Sequence, residues 1–141
     1  MRKIVIISVL LLAFVLCTCV AFAEGLDEPV GDDEVLKYVD VNSVNSRLTI
    51  SGSNAICKVT VYVRSSSAAN KVVMTVNYIK SGTGSVGTKT TTVYRSNNTF
   101  TGQTTKSLPS HGTYHAKVNI KLYHNTTLIE SFNVLTDNVV Y

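Results

Sequence analysis

The sequence predicts an all-β fold, an antiparallel two-sheet sandwich of about seven strands with no disulfide. Apolar and polar residues alternate strictly in several stretches, which buries one face of a strand and hydrates the other. Turn-forming residues recur roughly every 8–12 positions, a spacing typical of sandwiches and barrels. If residues 1–23 are removed, Cys57 is the one cysteine left, and it cannot close an intramolecular bridge.

The clearest strand prediction lies after residue 113, where period-two alternation continues to residue 123. We expect the apolar positions to face the core: Tyr114, Ala116, Val118, Ile120 and Leu122. We expect the alternate positions to face solvent: His115, Lys117, Asn119, Lys121 and Tyr123. One side of this strand therefore belongs to a core, and the other side is available to solvent or a ligand.

The other strands are predicted at 47–51, 55–64, 71–80, 88–94, 100–107 and 127–135, and residues 139–141 are expected to pin the C-terminus. In the second of these the inward set is Ala55, Cys57, Val59, Val61 and Val63. In the third it is Val72, Met74, Val76 and Tyr78. The segment 88–94 is rich in threonine and weakly apolar, which favours a sheet edge.

A short corner motif precedes the strand that begins near Tyr114. Its residues are Leu108, Pro109, Gly112, Thr113 and Tyr114. The motif resembles the turn before strand F in fibronectin type III and immunoglobulin-like sandwiches, where a tyrosine hydroxyl bonds to the backbone upstream. The layout of a signal peptide, one domain and a Gly-x-Tyr strand also resembles small secreted sandwich proteins of Gram-positive bacteria. These resemblances imply a fold, and they imply no activity.

The comparison with immunoglobulin domains stops at the disulfide. Two residues after the corner tyrosine, where antibody domains carry their second cysteine, this chain has Ala116. The resemblance implies that Cys57 lies opposite Ala116, as half of a bridge whose other half is absent. No tryptophan is present to pack against it. These departures favour a fibronectin-like core.

The N-terminal region predicts export. Residues 1–23 combine Arg2 and Lys3, an apolar run and an A-x-A site at residues 21–23, as a cleaved signal peptide does. An uncleaved membrane anchor is the alternative; otherwise we expect membrane contact only through the signal before cleavage. Residues 24–37 carry six acids and one base, a net charge of −5, and are predicted to form a flexible arm. The predicted domain, 38–141, carries ten bases and three acids, a net charge of +7.

Motifs that could carry catalysis or bind cofactors have simpler explanations. The G-x-G-x-x-G pattern at 82–87 precedes a β-branched run, so we interpret it as a hairpin loop rather than a dinucleotide site. His111, His115 and His124 are spaced too widely along an extended chain to share a metal ion. Cys57 is expected to be a buried, inert thiol. The sequence therefore predicts no catalytic residue, no metal and no cofactor.

A basic and aromatic surface is the candidate binding face. It would form if strands 55–64 and 114–123 lay in one sheet, and its members are Lys58, Tyr62, Arg64, His115, Lys117, Lys121 and Tyr123. Such a face would suit an anionic cell-wall polymer or glycan, or a protein partner, and nucleic acid is not expected. The alternative is an ordinary solvated sheet face.

The functional prediction is a secreted, non-catalytic binding or structural module at the cell envelope, either free or associated with the cell surface. A small secreted effector, antibacterial or host-directed, is one alternative. A hydrolase with a loop-built site is the other.

Overall fold

The computed structural model of this chain describes residues 39–141. The predicted signal peptide (1–23) and acidic arm (24–37) lie outside the described residues. The described part is built from strands and turns and has no helix, as predicted. It therefore contains no helix of the length and hydropathy that crossing a membrane requires.

Eight antiparallel strands form two sheets. Their bounds are β1 Val41–Ser51, β2 Asn54–Val63, β3 Lys71–Lys80, β4 Gly84–Tyr94, β5 Thr99–Ser107, β6 Thr113–His124, β7 Thr127–Leu135 and β8 Val139–Val140. The smaller sheet has the order β1-β2-β5, and the larger has β4-β3-β6-β7 with β8 also paired to β6. The fourth strand thus joins the sheet of the third. In constant-type immunoglobulin domains it joins the sheet of the first, second and fifth.

The core lies between the two sheets and is filled by one face of every long strand. The predicted inward sets of β2, β3 and β6 are all at most 1% exposed, which confirms their alternation. From β5 the core receives Phe100, and from β7 it receives Phe132. The buried Phe100 ring therefore anchors β5 in the core, although the rest of this strand is weakly apolar.

A buried hydrogen bond, and no disulfide, links the two sheets across the core. The Tyr78 hydroxyl on β3 lies 2.9 Å from the carbonyl oxygen of Thr104 on β5 and 2.8 Å from its hydroxyl. Thr104 is the register partner of Cys57 on β2. Cys57 is buried and unpaired, as predicted, and burial raises the pKa of its thiol from 9.0 to about 11. Burial likewise raises the pKa of Tyr78, while its bond to Thr104 acts in the opposite direction.

The corner before β6 is closed by Tyr114. Its side chain is fully buried, and its hydroxyl donates to the carbonyl oxygen of Ser110 over 2.6 Å. The C-terminus lies beside the same corner, because Gly112 and Tyr141 exchange two backbone hydrogen bonds. The terminal residues therefore pin the end of the chain to β6, as predicted.

The edge strand β4 packs against β5 of the other sheet at Gly102. A Cβ built on Gly102 would lie 2.6 Å from the Met74 sulfur and 3.1 Å from Thr91, so any side chain there would have to displace them. The absence of a side chain lets β4 approach the smaller sheet and close that side of the core. The edge position of β4 and the hairpin before it, which contains the G-x-G-x-x-G letters, both agree with the sequence predictions.

Two strands are longer than the alternation predicted. Strand β1 begins at Val41 instead of residue 47, and β4 begins at Gly84 instead of residue 88. The extra residues of β1 are mostly polar, and they are held by backbone pairing with β2. The start of β4 pairs with the end of β3 across a register shift after Tyr78. Backbone pairing extends both strands where side-chain periodicity gives no signal.

Candidate functional site

The structure separates the seven residues of the predicted binding face. Strand β2, with Lys58 and Tyr62, belongs to the smaller sheet, and Arg64 follows its last residue. Strand β6 belongs to the larger sheet and carries the other four: His115, Lys117, Lys121 and Tyr123. Each strand directs its apolar side chains into the shared core, so its polar side chains point away from the other sheet. The expectation that both strands contribute to one sheet face is therefore wrong, and two separate surfaces result.

The outer face of the smaller sheet carries a row of long polar side chains across its three strands. Arg47 on β1 is in register with Lys58 on β2, which is in register with Gln103 on β5. Side chains that are directly opposite on neighbouring antiparallel strands lie about 5 Å apart at Cβ. All three residues are exposed. This row, together with Tyr62, is called the β2 face below.

The β2 face carries positive charge and no negative charge. Strands β1, β2 and β5 contain no aspartate or glutamate. Within residues 39–141, neither the Arg47 side chain nor the Lys58 side chain forms a hydrogen bond or an ion pair. Asp137 borders a cleft on the far side of β1 together with Arg47, yet no ion pair joins them. Like charges placed directly opposite each other on neighbouring strands are destabilising, so this pair of cations costs the fold free energy.

The β2 face is also concave. Its side chains enclose a groove of about 390 Å³, open to solvent, whose lining is Asn45, Arg47, Thr49, Ile56, Lys58, Thr60, Tyr62 and Gln103. Tyr62, which is 42% exposed, lies at one end of the groove, and the two cations lie toward its middle. Between the cations and Tyr62, the hydroxyls of Thr60 and Thr101 bond to each other over 3.2 Å. The groove thus combines positive charge, hydroxyl and amide groups, and an aromatic ring.

On the outer face of the larger sheet, one cation and one aromatic ring are already in contact with each other. The Lys71 ammonium lies 5.0 Å from the centre of the Tyr123 ring, a cation–π contact. Lys71 is also in register with Tyr94, which is 72% exposed. Lys117 and Lys121 are exposed on β6 and are the register partners of Leu135 and Ser131 on β7.

The three histidines lie in three different settings. The His111 ring stacks on Tyr141 with 4.2 Å between centroids. His115 lies on β6 in register with Ile79, and its Nδ1 is buried without a partner. His124 bonds through Nδ1 to the carbonyl oxygen of Ala68. Among the described residues, no three histidine, cysteine or carboxylate side chains are grouped so that they could hold a metal ion.

The sequence analysis missed Arg47 and Gln103. The segment 47–51 was predicted as a strand with Leu48 and Ile50 on one side, which leaves Arg47 on the opposite side. The missing information was which strands are neighbours and in which register, since only register brings Arg47 next to Lys58. Gln103 lies on a strand whose other outward residues are threonines and one serine, and it carries no motif.

Comparison with known proteins adds three distant structural similarities. Neither the models of known protein families nor the curated proteins match this sequence. Among solved structures, the chain is similar to part of a β-glucuronidase from glycoside hydrolase family 2, with a TM-score of 0.42 and 15% identity over 65% of this chain and 11% of that one. It is similar to part of a glycosyl hydrolase family 2 member from Bacteroides cellulosilyticus, with a TM-score of 0.40 and 14% identity over 64% of this chain and 13% of that one.

The third similarity is to a family 76 glycoside hydrolase from a bovine Bacteroides thetaiotaomicron strain, with a TM-score of 0.36 and 20% identity over 69% of this chain. This chain spans 20% of that enzyme, and no more than 13% of the first two.

Proposed function

We propose that this protein is an exported, non-catalytic binding module that holds an anionic polymer of the cell envelope on the β2 face. One observation carries the proposal: Arg47 and Lys58 lie opposite each other, exposed and unpaired, on a sheet whose strands contain no acid. A bound anion would turn their mutual repulsion into two charge-assisted hydrogen bonds. The cost of the pair in the free protein is then offset in the complex.

The proposal that the module is non-catalytic is supported by its thiol. Cys57 is 1% exposed, and a pKa of about 11 keeps it protonated at neutral pH, so it does not act as a nucleophile. Export is proposed from the signal-peptide pattern of residues 1–23. The net charge of +7 on residues 38–141 would further favour approach to an anionic surface over a long range.

Co-sedimentation with cell-wall sacculi tests this function. The protein, purified after export from a bacterial host, is mixed with sacculi that retain or lack their anionic polymers, at low and high salt. We expect binding that disappears with the polymer and weakens with salt. Failure to bind either preparation would refute the proposal and direct attention to a protein partner.

A matched pair of double variants separates the site from general charge. Arg47→Gln with Lys58→Gln removes two positive charges from the β2 face, and Lys117→Gln with Lys121→Gln removes two from β6. Both variants lower the net charge equally. We expect the first to weaken binding by about tenfold or more and the second by much less. Equal losses would mean that the polymer senses only the overall charge.

A further inference from the structure

The β2 face changes from cationic to aromatic along its central strand. Lys58, Thr60 and Tyr62 are successive outward residues of β2, so Lys58 and Tyr62 lie about 13 Å apart at ~3.3 Å per residue. The groove that contains them continues without interruption from the cationic row to the aromatic ring. A ligand that contacts both ends must therefore be longer than a single inorganic anion.

The cationic end fits a planar anion. Arg47 supplies a guanidinium, which binds carboxylates through two parallel hydrogen bonds, and Lys58 supplies a point charge beside it. Gln103 completes the row with an amide that can both donate and accept hydrogen bonds.

The groove lining at the opposite end contains no charged side chain and offers an aromatic ring. Tyr62 is 42% exposed, and within residues 39–141 neither its ring nor its hydroxyl has a partner. An exposed tyrosine in a groove presents an apolar face with a polar end, which suits the C–H face of a pyranose ring. Next to it, Asn45 and the bonded hydroxyls of Thr60 and Thr101 form a polar row. A polymer of phosphates alone could bond to this row, but it would not use the ring.

We infer that the β2 face binds an acidic oligosaccharide along β2, with a sugar carboxylate on Arg47 and Lys58 and a sugar ring against Tyr62. This inference rests on the proposed function, and it names the ligand class of the same site. The carboxylate provides the salt-dependent part of the affinity. The ring contact provides discrimination between a glycan and any other polyanion.

Calorimetric titration with three probes tests the inference on the protein purified after export. The probes are hexagalacturonate, its methyl ester, which keeps the rings and loses the charge, and a polyphosphate of equal charge. We expect hexagalacturonate to bind and its ester to bind at least about tenfold more weakly. We expect Tyr62→Ala to weaken hexagalacturonate by about tenfold and to leave polyphosphate unchanged. Tyr62→Phe retains the ring and should retain the affinity.

Tyr94→Ala is the control, since it removes an exposed tyrosine from the other sheet and should alter neither affinity. If Tyr62→Ala leaves hexagalacturonate binding unchanged, or weakens polyphosphate equally, the sugar-ring contact is refuted. The proposed function then survives if sacculus binding still requires Arg47 and Lys58. If hexagalacturonate fails to bind while sacculi are bound, the inference is likewise refuted by itself. Loss of binding to both sacculi and hexagalacturonate refutes the function as well.

Discussion

The hydrogen bonds between Tyr78 and Thr104 are the clearest quantitative prediction of this structure. The Tyr78 hydroxyl donates to the Thr104 carbonyl oxygen and accepts from the Thr104 hydroxyl, because its own proton is already used. Tyr78 is 0% and Thr104 is 8% exposed, so water cannot replace either partner easily. Tyr78→Phe removes only the hydroxyl and leaves the ring in the core.

The expected magnitudes differ for the two single variants. In Tyr78→Phe the Thr104 hydroxyl keeps no acceptor, and an orphaned buried group costs about 1–3 kcal/mol. In Thr104→Val the Tyr78 hydroxyl still donates to the backbone carbonyl, so the loss should be about 0.5–1.5 kcal/mol. With both changes no side-chain hydroxyl is left unsatisfied. The double variant should therefore be more stable than the sum of the two losses predicts, with a coupling energy of about 1 kcal/mol.

Urea denaturation of the four proteins measures the coupling, with thermal unfolding as a second readout. In a domain of about 100 residues, 1 kcal/mol shifts the Tm by about 4–8 °C, which is easily resolved. Tyr94→Phe is the control, because it removes a hydroxyl from a ring that is 72% exposed and should alter the midpoint very little. If the losses add within about 0.3 kcal/mol, the bond across the core does not contribute as described.

Three further predictions concern the corner, the buried thiol and the cationic pair. Tyr114→Phe should lower the free energy of unfolding in urea by about 0.5–1.5 kcal/mol, because the carbonyl of the exposed Ser110 loses its Tyr114 donor at the corner. Between pH 9 and 11 the unfolded Cys57 thiol loses its proton and the buried one retains it, so stability should fall by roughly 1.4 kcal/mol per pH unit, and Cys57→Ala should reduce this slope in urea midpoints. Lys58→Gln should stabilise the free domain slightly at low salt, by about 0.5 kcal/mol or less, because it removes the repulsion from Arg47.

Each of these predictions has a distinct contrary result. An unchanged midpoint for Tyr114→Phe would remove the energetic basis of the fibronectin-like corner. An identical alkaline slope in Cys57→Ala would assign the loss to another group, with Tyr78 as the nearest candidate because burial raises its pKa too. For Lys58→Gln, a gain that persists at high salt would show that repulsion between exposed charges is not its cause, since salt screens such repulsion. The matched control there is Lys117→Gln, which removes an exposed charge opposite Leu135.

Strands whose two faces differ were predicted closely. Strand β3 was predicted at 71–80 and is observed at Lys71–Lys80, and β7 has its predicted bounds as well. Such a strand has one burial pattern, so local sequence determines which of its side chains face the core. Strand β1 was predicted six residues too short, because its first half alternates weakly and depends on β2 for its hydrogen bonds.

The candidate site could be predicted only in part. Lys58 and Tyr62 were recognised from the alternation of β2, and they do face outward together. Combining them with Lys117 and Lys121 was wrong, because sequence periodicity states that a residue faces away from the core but not which sheet carries it. Arg47 was overlooked for the same reason, since it meets Lys58 through strand order and register alone.

The sequence by itself determined the all-β class and the inward faces of β2, β3 and β6. It also determined that residues 38–141 contain a single cysteine and an excess of positive charge. These properties follow from local periodicity and composition, which need no knowledge of distant parts of the chain. Only the tertiary structure decided that β2 and β6 lie in different sheets, that Tyr78 meets Thr104, and that Arg47 lies opposite Lys58. Each of these depends on which strands pair, and pairing is set by the burial of all strands together in a single core.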